Sequence, residues 1–112
     1  MNDLVNEIKD RSRLLDVAVS ECKKRGKKYA ETERDYRVAL AKKYLAERDR
    51  GTPVTIISDV CRGSAEIAGL RFERDCAEVF YKSAQEAVNS MKLQLRLLDN
   101  QLEREWGGSK NA

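Results

Sequence analysis

The chain has 112 residues, of which 37% are charged and 6% aromatic, and its formal net charge is +3. This length allows one domain with a modest core, and the frequent, periodic apolar residues exclude a disordered chain. With one proline in the whole sequence, the composition favours long helices that are largely exposed to solvent. The net charge is too small to indicate a partner on its own.

The N-terminal residues MNDLVNEIKD mix acidic, basic and polar side chains, which is not the pattern of a secretory signal. No apolar run in the sequence reaches the length needed to span a membrane. We therefore predict a cytoplasmic protein without a membrane-inserted segment. The three cysteines, Cys22, Cys61 and Cys76, show no CxxC spacing and are predicted to be free thiols.

The first predicted element is a long helix over residues 3–50. Apolar side chains recur every seven residues from Ile8 to Tyr36, which indicates one buried seam along the helix. A second, less regular series accompanies this seam: Leu4, Arg11, Ala18, Arg25, Thr32, Ala39 and Ala46. Gly26 costs a helix about 1 kcal/mol relative to alanine, so it either bends the helix or divides it in two. Because the seam resumes in phase at Tyr29, we favour a continuous helix.

A cluster of basic side chains lies within this helix without any acidic residue between them: Lys23, Lys24, Arg25, Lys27 and Lys28. The lysines fall on one side of the helix, whereas Cys22 and Tyr29 lie on the seam. Such a patch can contact the phosphates of a nucleic acid without reading its sequence. It can equally be a solvated face, and the small net charge and the absence of interleaved aromatic residues favour that second interpretation.

The segment 51-GTPVTIISDVCRGS-64 separates the two long helices. Four of its apolar residues have helical spacing, which favours a short helix: Ile56, Ile57, Val60 and Cys61. The β-branched run at residues 54–57 is also compatible with a short strand, which would need a partner strand from a second copy. A DNA-reading helix-turn-helix is a poor match, because Asp59 stands where that motif needs a small packing residue.

The second long helix is predicted over residues 65–106, with Ser64 as its N-cap. Its apolar positions form a broad stripe: Phe72, Cys76, Val79, Phe80, Ser83, Ala84, Ala87, Val88, Met91, Leu95, Leu98, Leu102 and Trp106. Gly107 and Gly108 are expected to stop the helix, so residues 107–112 are predicted to be a flexible tail.

These elements predict an all-α fold, a long antiparallel helical hairpin with a short element at its bend. A turn centred near Ile57 would pair Tyr36 with Val79. The same register would pair Ile8 with Trp106. The hairpin is predicted to form a single domain, which covers residues 1–106.

Several large apolar side chains lie off both stripes: Leu14, Val17, Val38, Leu45, Leu93 and Leu97. They predict that another surface covers the hairpin. A second copy is the first candidate, because closed dimers are the commonest oligomers and would complete a four-helix bundle. A different protein partner is the other candidate. The predicted interface residues are Leu14, Val38, Leu45, Ile56, Ile57, Val60, Leu93 and Leu97.

The sequence offers little for catalysis. It contains no histidine, which removes the commonest metal ligand and the commonest general base together. Three separated thiols make a poor zinc site, and no glycine-rich phosphate loop is present. We therefore predict a protein that is not an enzyme and has no catalytic, cofactor-binding or metal-binding residues.

Two stretches, 34-RDYRVALAKKYLAERDRGTP-53 and 93-LQLRLLDNQLEREW-106, resemble short helical proteins encoded by phages and prophages of Gram-positive bacteria. The resemblance covers most of the chain from Tyr29 to Trp106. It implies an accessory factor or inhibitor that binds a host or phage protein in the host cytoplasm, and it assigns no site residues. We therefore expect a protein–protein interaction module. A nucleic-acid-binding protein that uses the basic residues at 23–28 is the alternative.

Overall fold

The computed structural model describes the backbone of residues 2–111 and the side chains of residues 3–107. It contains three helices: α1 (Asn2–Asp49), α2 (Ile57–Arg62) and α3 (Ala65–Asn111). No strand occurs within residues 2–111. Helices α1 and α3 pack against each other as a helical hairpin, so the all-α hairpin predicted from the two apolar stripes is confirmed.

Helix α1 continues through Gly26, so this glycine does not divide it. A Cβ atom at this position would lie 3.0 Å from Cε1 of Tyr81, which is closer than side chains normally approach. The missing side chain leaves room for the Tyr81 ring, whose centroid lies 6.1 Å from the ring centroid of Tyr29. The predicted continuous helix is confirmed, and the close approach of Tyr81 explains why a glycine is tolerated there.

Helix α1 ends in a Schellman motif. Gly51 has a φ of 83°, the left-handed conformation that glycine adopts without strain. Its N–H donates a hydrogen bond to the carbonyl of Arg48, and the N–H of Thr52 donates one to the carbonyl of Glu47, each at 3.0 Å. These bonds satisfy two of the last carbonyls of α1, which would otherwise lack partners.

The β-branched run within the bend is not a strand. Residues 54–56 form turns, and the N–H groups of Ile56 and Ile57 both donate to the carbonyl of Pro53. Helix α2 begins at Ile57 and buries two side chains one turn apart, Ile57 at 2% exposure and Cys61 at 0%. The extended alternative is therefore wrong, and the helical alternative is correct from Ile57 onwards.

Helix α3 begins where the sequence predicts and ends later. The hydroxyl of Ser64 accepts a hydrogen bond from the N–H of Ile67 at 3.4 Å, which is the expected N-cap interaction. The helix continues through Gly107 to Asn111, so the predicted end at Trp106 is wrong. Glycine lowers helix propensity but leaves the backbone hydrogen bonds available. Flexibility of the segment 107–112 stays a prediction, and its last residue lies outside the described residues.

The chain divides into two compact units, each with its own packing. Unit 1 comprises Met1–Lys24 and Lys82–Ala112, and unit 2 comprises Arg25–Tyr81. Both units therefore contain a part of α1 and a part of α3. The single domain over residues 1–106 stays a prediction.

In unit 2 the register of the two long helices differs from the predicted one. The guanidinium of Arg74 lies 4.7 Å from the ring centroid of Tyr36, so Arg74 rather than Val79 faces Tyr36. Val79 is 60% exposed. The predicted turn centre near Ile57 is too late in the chain, because the contacts of Gly26 with Tyr81 and of Tyr36 with Arg74 are centred on about positions 54 and 55.

The apolar stripe predicted for the first part of α3 is also wrong. Phe72 and Phe80 are 70% and 55% exposed, whereas Ile67 is 1% exposed. The inner positions Ile67, Arg74 and Tyr81 repeat every seven residues. Because an arginine occupies one of these positions, the series does not stand out as an apolar pattern.

In unit 1 the second, less regular series on α1 is buried at its start, where Leu4 is 9% exposed. Farther along this series, Nη1 of Arg11 donates a hydrogen bond to Oε1 of Gln94 at 2.5 Å. This bond gives the series a polar contact at an arginine that interrupts its apolar pattern. Trp106 is 50% exposed, so it is not the buried partner that was predicted for Ile8.

Candidate interaction surfaces

Most of the apolar residues predicted at an interface have exposed side chains. Their exposed fractions lie between 39% and 58%. These residues are Leu14, Leu93 and Leu97 in unit 1, and Val38, Leu45, Ile56 and Val60 in unit 2. Each is therefore available for contact with another molecule.

Ile57 is the exception among these predicted residues. It is 2% exposed and belongs to the buried side of α2 together with Cys61. Its neighbour Ile56 is 47% exposed. The assignment of Ile57 to an interface is therefore corrected: the helical spacing of the bend turns this side chain into the core of unit 2, so no partner can contact it directly.

The basic residues predicted to contact phosphates are all exposed, and they fall into both units. Lys23 and Lys24 belong to unit 1, and Arg25, Lys27 and Lys28 belong to unit 2. In unit 2, Nζ of Lys27 lies 3.9 Å from Oε1 of Glu31. The guanidinium of Arg25 lies 5.3 Å from the ring centroid of Phe80, a cation–π contact that occupies part of this cation's surface.

The most exposed aromatic side chain of the described residues is Phe72, at 70%, and Val79 lies seven residues later at 60%. Each stands two positions before an inner position of α3: Phe72 comes before Arg74, and Val79 comes before Tyr81. Two residues correspond to about 200° of rotation around a helix, so Phe72 and Val79 point away from α1. We call these two side chains the outer face of α3.

The outer face is recognised in the sequence only once the burial of one residue of α3 is known. Counting back in sevens from the buried Val88 gives Tyr81, Arg74 and Ile67. This series places Phe72 on the opposite side of the helix. The broad stripe predicted from apolar spacing alone merged the two sides, because both carry large apolar side chains.

A second surface of unit 2 is a shallow groove of about 350 Å³, which we call the arginine groove. Four arginines line it together with three other residues. The arginines are Arg37, Arg62, Arg71 and Arg74, and the other residues are Glu33, Tyr36 and Leu40. None of the four arginines was singled out by the sequence, because they are distributed over all three helices.

Part of the lining of the arginine groove belongs to a connected set of ion pairs. Nε of Arg37 donates to Oε1 of Glu33 at 2.5 Å, and Nη1 of Arg74 donates to Oε2 of the same carboxylate at 3.2 Å. Arg74 also donates from Nε and Nη2 to Oδ1 of Asp75, at 3.0 and 2.8 Å. Both oxygens of Glu33 are therefore occupied by guanidinium groups.

These hydrogen bonds change the acidity of the groups that make them. The hydrogen bond from Arg37 is the main cause that lowers the pKa of Glu33, and Arg74 lowers it further, although partial burial opposes both. The hydrogen bond to Asp75 is the main cause that raises the pKa of Arg74. The charged forms of these groups therefore stabilise one another.

The two remaining arginines of the groove have guanidinium groups with little or no internal pairing. Nε of Arg71 lies 3.9 Å from Oδ2 of Asp75, a long contact between half-exposed side chains. The side chain of Arg62, at the end of α2, is exposed and makes no hydrogen bond or ion pair with any described residue. These two arginines therefore keep donors directed to solvent.

Other kinds of site are not found in the described part of the chain. No group of three or more histidine, cysteine, aspartate or glutamate side chains there is placed to hold a metal ion, and no helix there is long and apolar enough to cross a membrane. The three cysteines are free, as predicted. No protein family, curated protein or solved structure matches this chain.

Proposed function

We propose that this chain is a non-enzymatic interaction module that binds a protein partner through the outer face of α3. The observation that carries this proposal is the exposure of Phe72 and Val79, 70% and 60%, on the side of α3 opposite to α1. Fully covering a Phe or Val side chain is worth about 1.5–3 kcal/mol, so a partner that covers both gains a useful part of its affinity there.

Aromatic side chains at the centre of an interface are typical anchors of protein–protein recognition. Phe72 fits that role because it is large and stands free of its own chain. Val38 and Leu45 on α1 add further exposed apolar area to unit 2, at 48% and 58% exposure. The amount of exposed apolar surface supports a protein partner better than a small ligand, because the outer face is not a cleft.

We also propose that the chain self-associates. Leu93 and Leu97 lie one turn apart on α3 in unit 1 and are 53% and 58% exposed. A helix face of this kind is suited to a symmetric contact with the same face of a second copy. On the resemblance to phage and prophage proteins, the further partner would be a component of host or phage machinery.

The outer face is tested by Phe72→Glu combined with Val79→Glu. The matched control is Ser12→Glu with Ser20→Glu, two exposed positions on α1 that carry the same added charge. Partners are first identified by cross-linking and mass spectrometry, and the strongest is then purified. The outer-face variant should weaken its binding by about tenfold or more, and the control should bind like the wild type. Equal binding by all three proteins would refute the role of the outer face.

The competing function, nucleic-acid binding, gives a different result. If the basic residues contact phosphates, binding of a labelled DNA duplex weakens steeply with salt. That binding would also be lost when Lys23, Lys24, Lys27 and Lys28 are changed to glutamate. Under the proposed function, the wild type binds the duplex weakly and the substitutions leave partner binding unchanged.

A further inference from the structure

We propose that the arginine groove of unit 2 binds an acidic segment of a protein partner. This inference goes beyond the outer face by assigning a second site and its chemistry, and it rests on the proposed function only in taking the partner to be a protein. The relevant observations are the charge of the groove, the pairing of its arginines and the kind of surface beneath them.

The groove carries an excess of positive charge. Four arginines line it, and the two carboxylates that pair with them are Glu33 and Asp75. Four positive charges against two negative ones leave an excess of two. A ligand that brings carboxylates to this surface therefore gains electrostatic attraction, whereas a basic ligand is repelled.

Part of the groove is held in place by internal contacts. Arg74 lies against the ring of Tyr36 at 4.7 Å and is only 20% exposed, and its guanidinium is held by Glu33 and Asp75. Arg71 stands one turn earlier on α3 than Asp75, and Arg62 lies at the end of α2. The internal ion pairs thus occupy Arg37 and Arg74, whereas Arg62 and Arg71 are left to bind a ligand.

Arginine is suited to this task. Its planar guanidinium presents parallel N–H donors that match the two oxygens of a carboxylate. Arg62 has no internal acceptor among the described residues, and Arg71 has one long contact of 3.9 Å. An incoming carboxylate can therefore form short, charge-assisted hydrogen bonds without breaking any short one inside the protein.

The groove also has an apolar part, which favours a protein segment over a nucleic acid. Leu40, which is half-buried, lies among the arginines, so a leucine or valine next to an acidic residue finds an apolar side chain there. A single-stranded nucleic acid would need an exposed ring on which a base can stack. Tyr36 is 7% exposed and covered by Arg74, so it provides no such ring.

The test uses the full chain and three fluorescein-labelled probes. The first is a twelve-residue peptide that repeats Glu-Leu-Glu-Glu, the second is the same peptide with glutamine for every glutamate, and the third is a single-stranded DNA of twelve nucleotides. Binding is followed by fluorescence anisotropy. The groove variant is Arg62→Ala with Arg71→Ala. Its control is Arg34→Ala with Arg48→Ala, which removes the same charge from exposed positions of unit 2 outside the groove.

The acidic peptide should bind the wild type and the control with similar affinity, and the groove variant at least about tenfold more weakly. The glutamine peptide should bind weakly to all three proteins. Circular dichroism confirms that each variant is folded. If the alanine variant were not, Arg62→Gln with Arg71→Gln replaces it, because both side chains are exposed and tolerate a polar residue.

Three results would overturn the inference. The first is no binding of the acidic peptide at about 1 mM, and the second is equal weakening by the groove variant and its control. The third is DNA binding that is tighter than peptide binding and depends on Arg62 and Arg71, which would make the groove a nucleic-acid site. Phe72→Glu with Val79→Glu should leave peptide binding intact, so failure of the groove and failure of the outer face are separable.

Discussion

Tyr81 of α3 packs over Gly26 of α1, so that a Cβ added at position 26 would lie 3.0 Å from Cε1 and 3.3 Å from Cζ of the tyrosine ring. The absence of a side chain at Gly26 therefore allows the two helices to pack closely at this point of unit 2. Two opposing effects follow from any larger residue there. Helix propensity would improve, and the ring of Tyr81 would have to move away from Tyr29.

This relationship predicts that Gly26 and Tyr81 are energetically coupled. Gly26→Ala should stabilise a Tyr81→Ala background by about 1 kcal/mol through helix propensity. In the wild-type background the gain should be smaller or reversed, because the tyrosine ring opposes the new methyl group. Urea unfolding of the four proteins in this double-mutant cycle gives the coupling. Equal effects of Gly26→Ala in both backgrounds would contradict the packing described for Tyr81.

The core at the bend predicts unequal losses of stability when two adjacent isoleucines are replaced by alanine. Ile57 is 2% exposed and Ile56 is 47% exposed. Ile57→Ala should lower the free energy of unfolding by about 2–5 kcal/mol, as expected for a buried large-to-small change. Ile56→Ala should cost much less and serves as the matched control. Chemical denaturation of the two variants checks this difference, and similar losses would mean that the buried side of α2 is misassigned.

Glu47 predicts a pH-dependent contribution to stability. It is 4% exposed, and its carboxylate accepts a hydrogen bond from Oγ1 of Thr52 at 2.7 Å and lies 3.2 Å from Nη1 of Arg50 and 3.4 Å from Nζ of Lys43. The hydrogen bond from Thr52 is the main cause that lowers its pKa, and Lys43 and Arg50 lower it further.

Because the folded-state pKa of Glu47 lies below its unfolded value, the stabilisation is complete above the unfolded pKa and is lost as the pH falls through the folded pKa. Glu47→Gln should therefore reduce the free energy of unfolding at pH 7 by more than at about pH 3. Glu103→Gln, an exposed position on α3, is the control and should have little effect at either pH. A loss from Glu47→Gln that is the same at both pH values would disprove this role of its charge.

Self-association is tested at the leucines of unit 1. Sedimentation of the wild type should show a species larger than the 12.8 kDa chain. Leu93→Glu with Leu97→Glu should shift it to the single chain, because two charges would be buried in the contact. Ser12→Glu with Ser20→Glu, two exposed positions on α1 in unit 1, carries the same added charge and should leave the assembly intact. A wild type that sediments as a single chain at high concentration would exclude the dimer.

The sequence was sufficient to predict the hairpin, the continuous α1 and the start of α3 directly after its N-cap Ser64. These features follow from the seven-residue repeat and from local capping, which act within a few turns of helix. The inner face of α3 near Arg74 was not predictable in the same way. An arginine that packs on Tyr36 occupies an inner position of α3. The exposed Phe72 and Phe80 were assigned to the buried stripe instead, because they are large and apolar.

The register and the functional surfaces required the structure for a further reason. The pairing of Tyr36 depends on where the reversal is centred, and that depends on the hydrogen bonds of Gly51 and Thr52 rather than on apolar spacing. The arginine groove combines residues from three helices, so no local pattern reveals it. Exposed apolar residues such as Leu93 and Leu97 were identifiable from the sequence, because they lie outside the regular apolar repeat of this part of α3.

The three fully buried side chains of largest volume, Ile57, Cys61 and Ile67, are close together in the sequence. Contacts between such near neighbours require only short loops to close and therefore cost little chain entropy. The first stable nucleus during folding is thus expected at the bend, before the distant ends of α1 and α3 meet. The Schellman motif at Gly51 supports that order, because it fixes the direction of the returning chain with local hydrogen bonds alone.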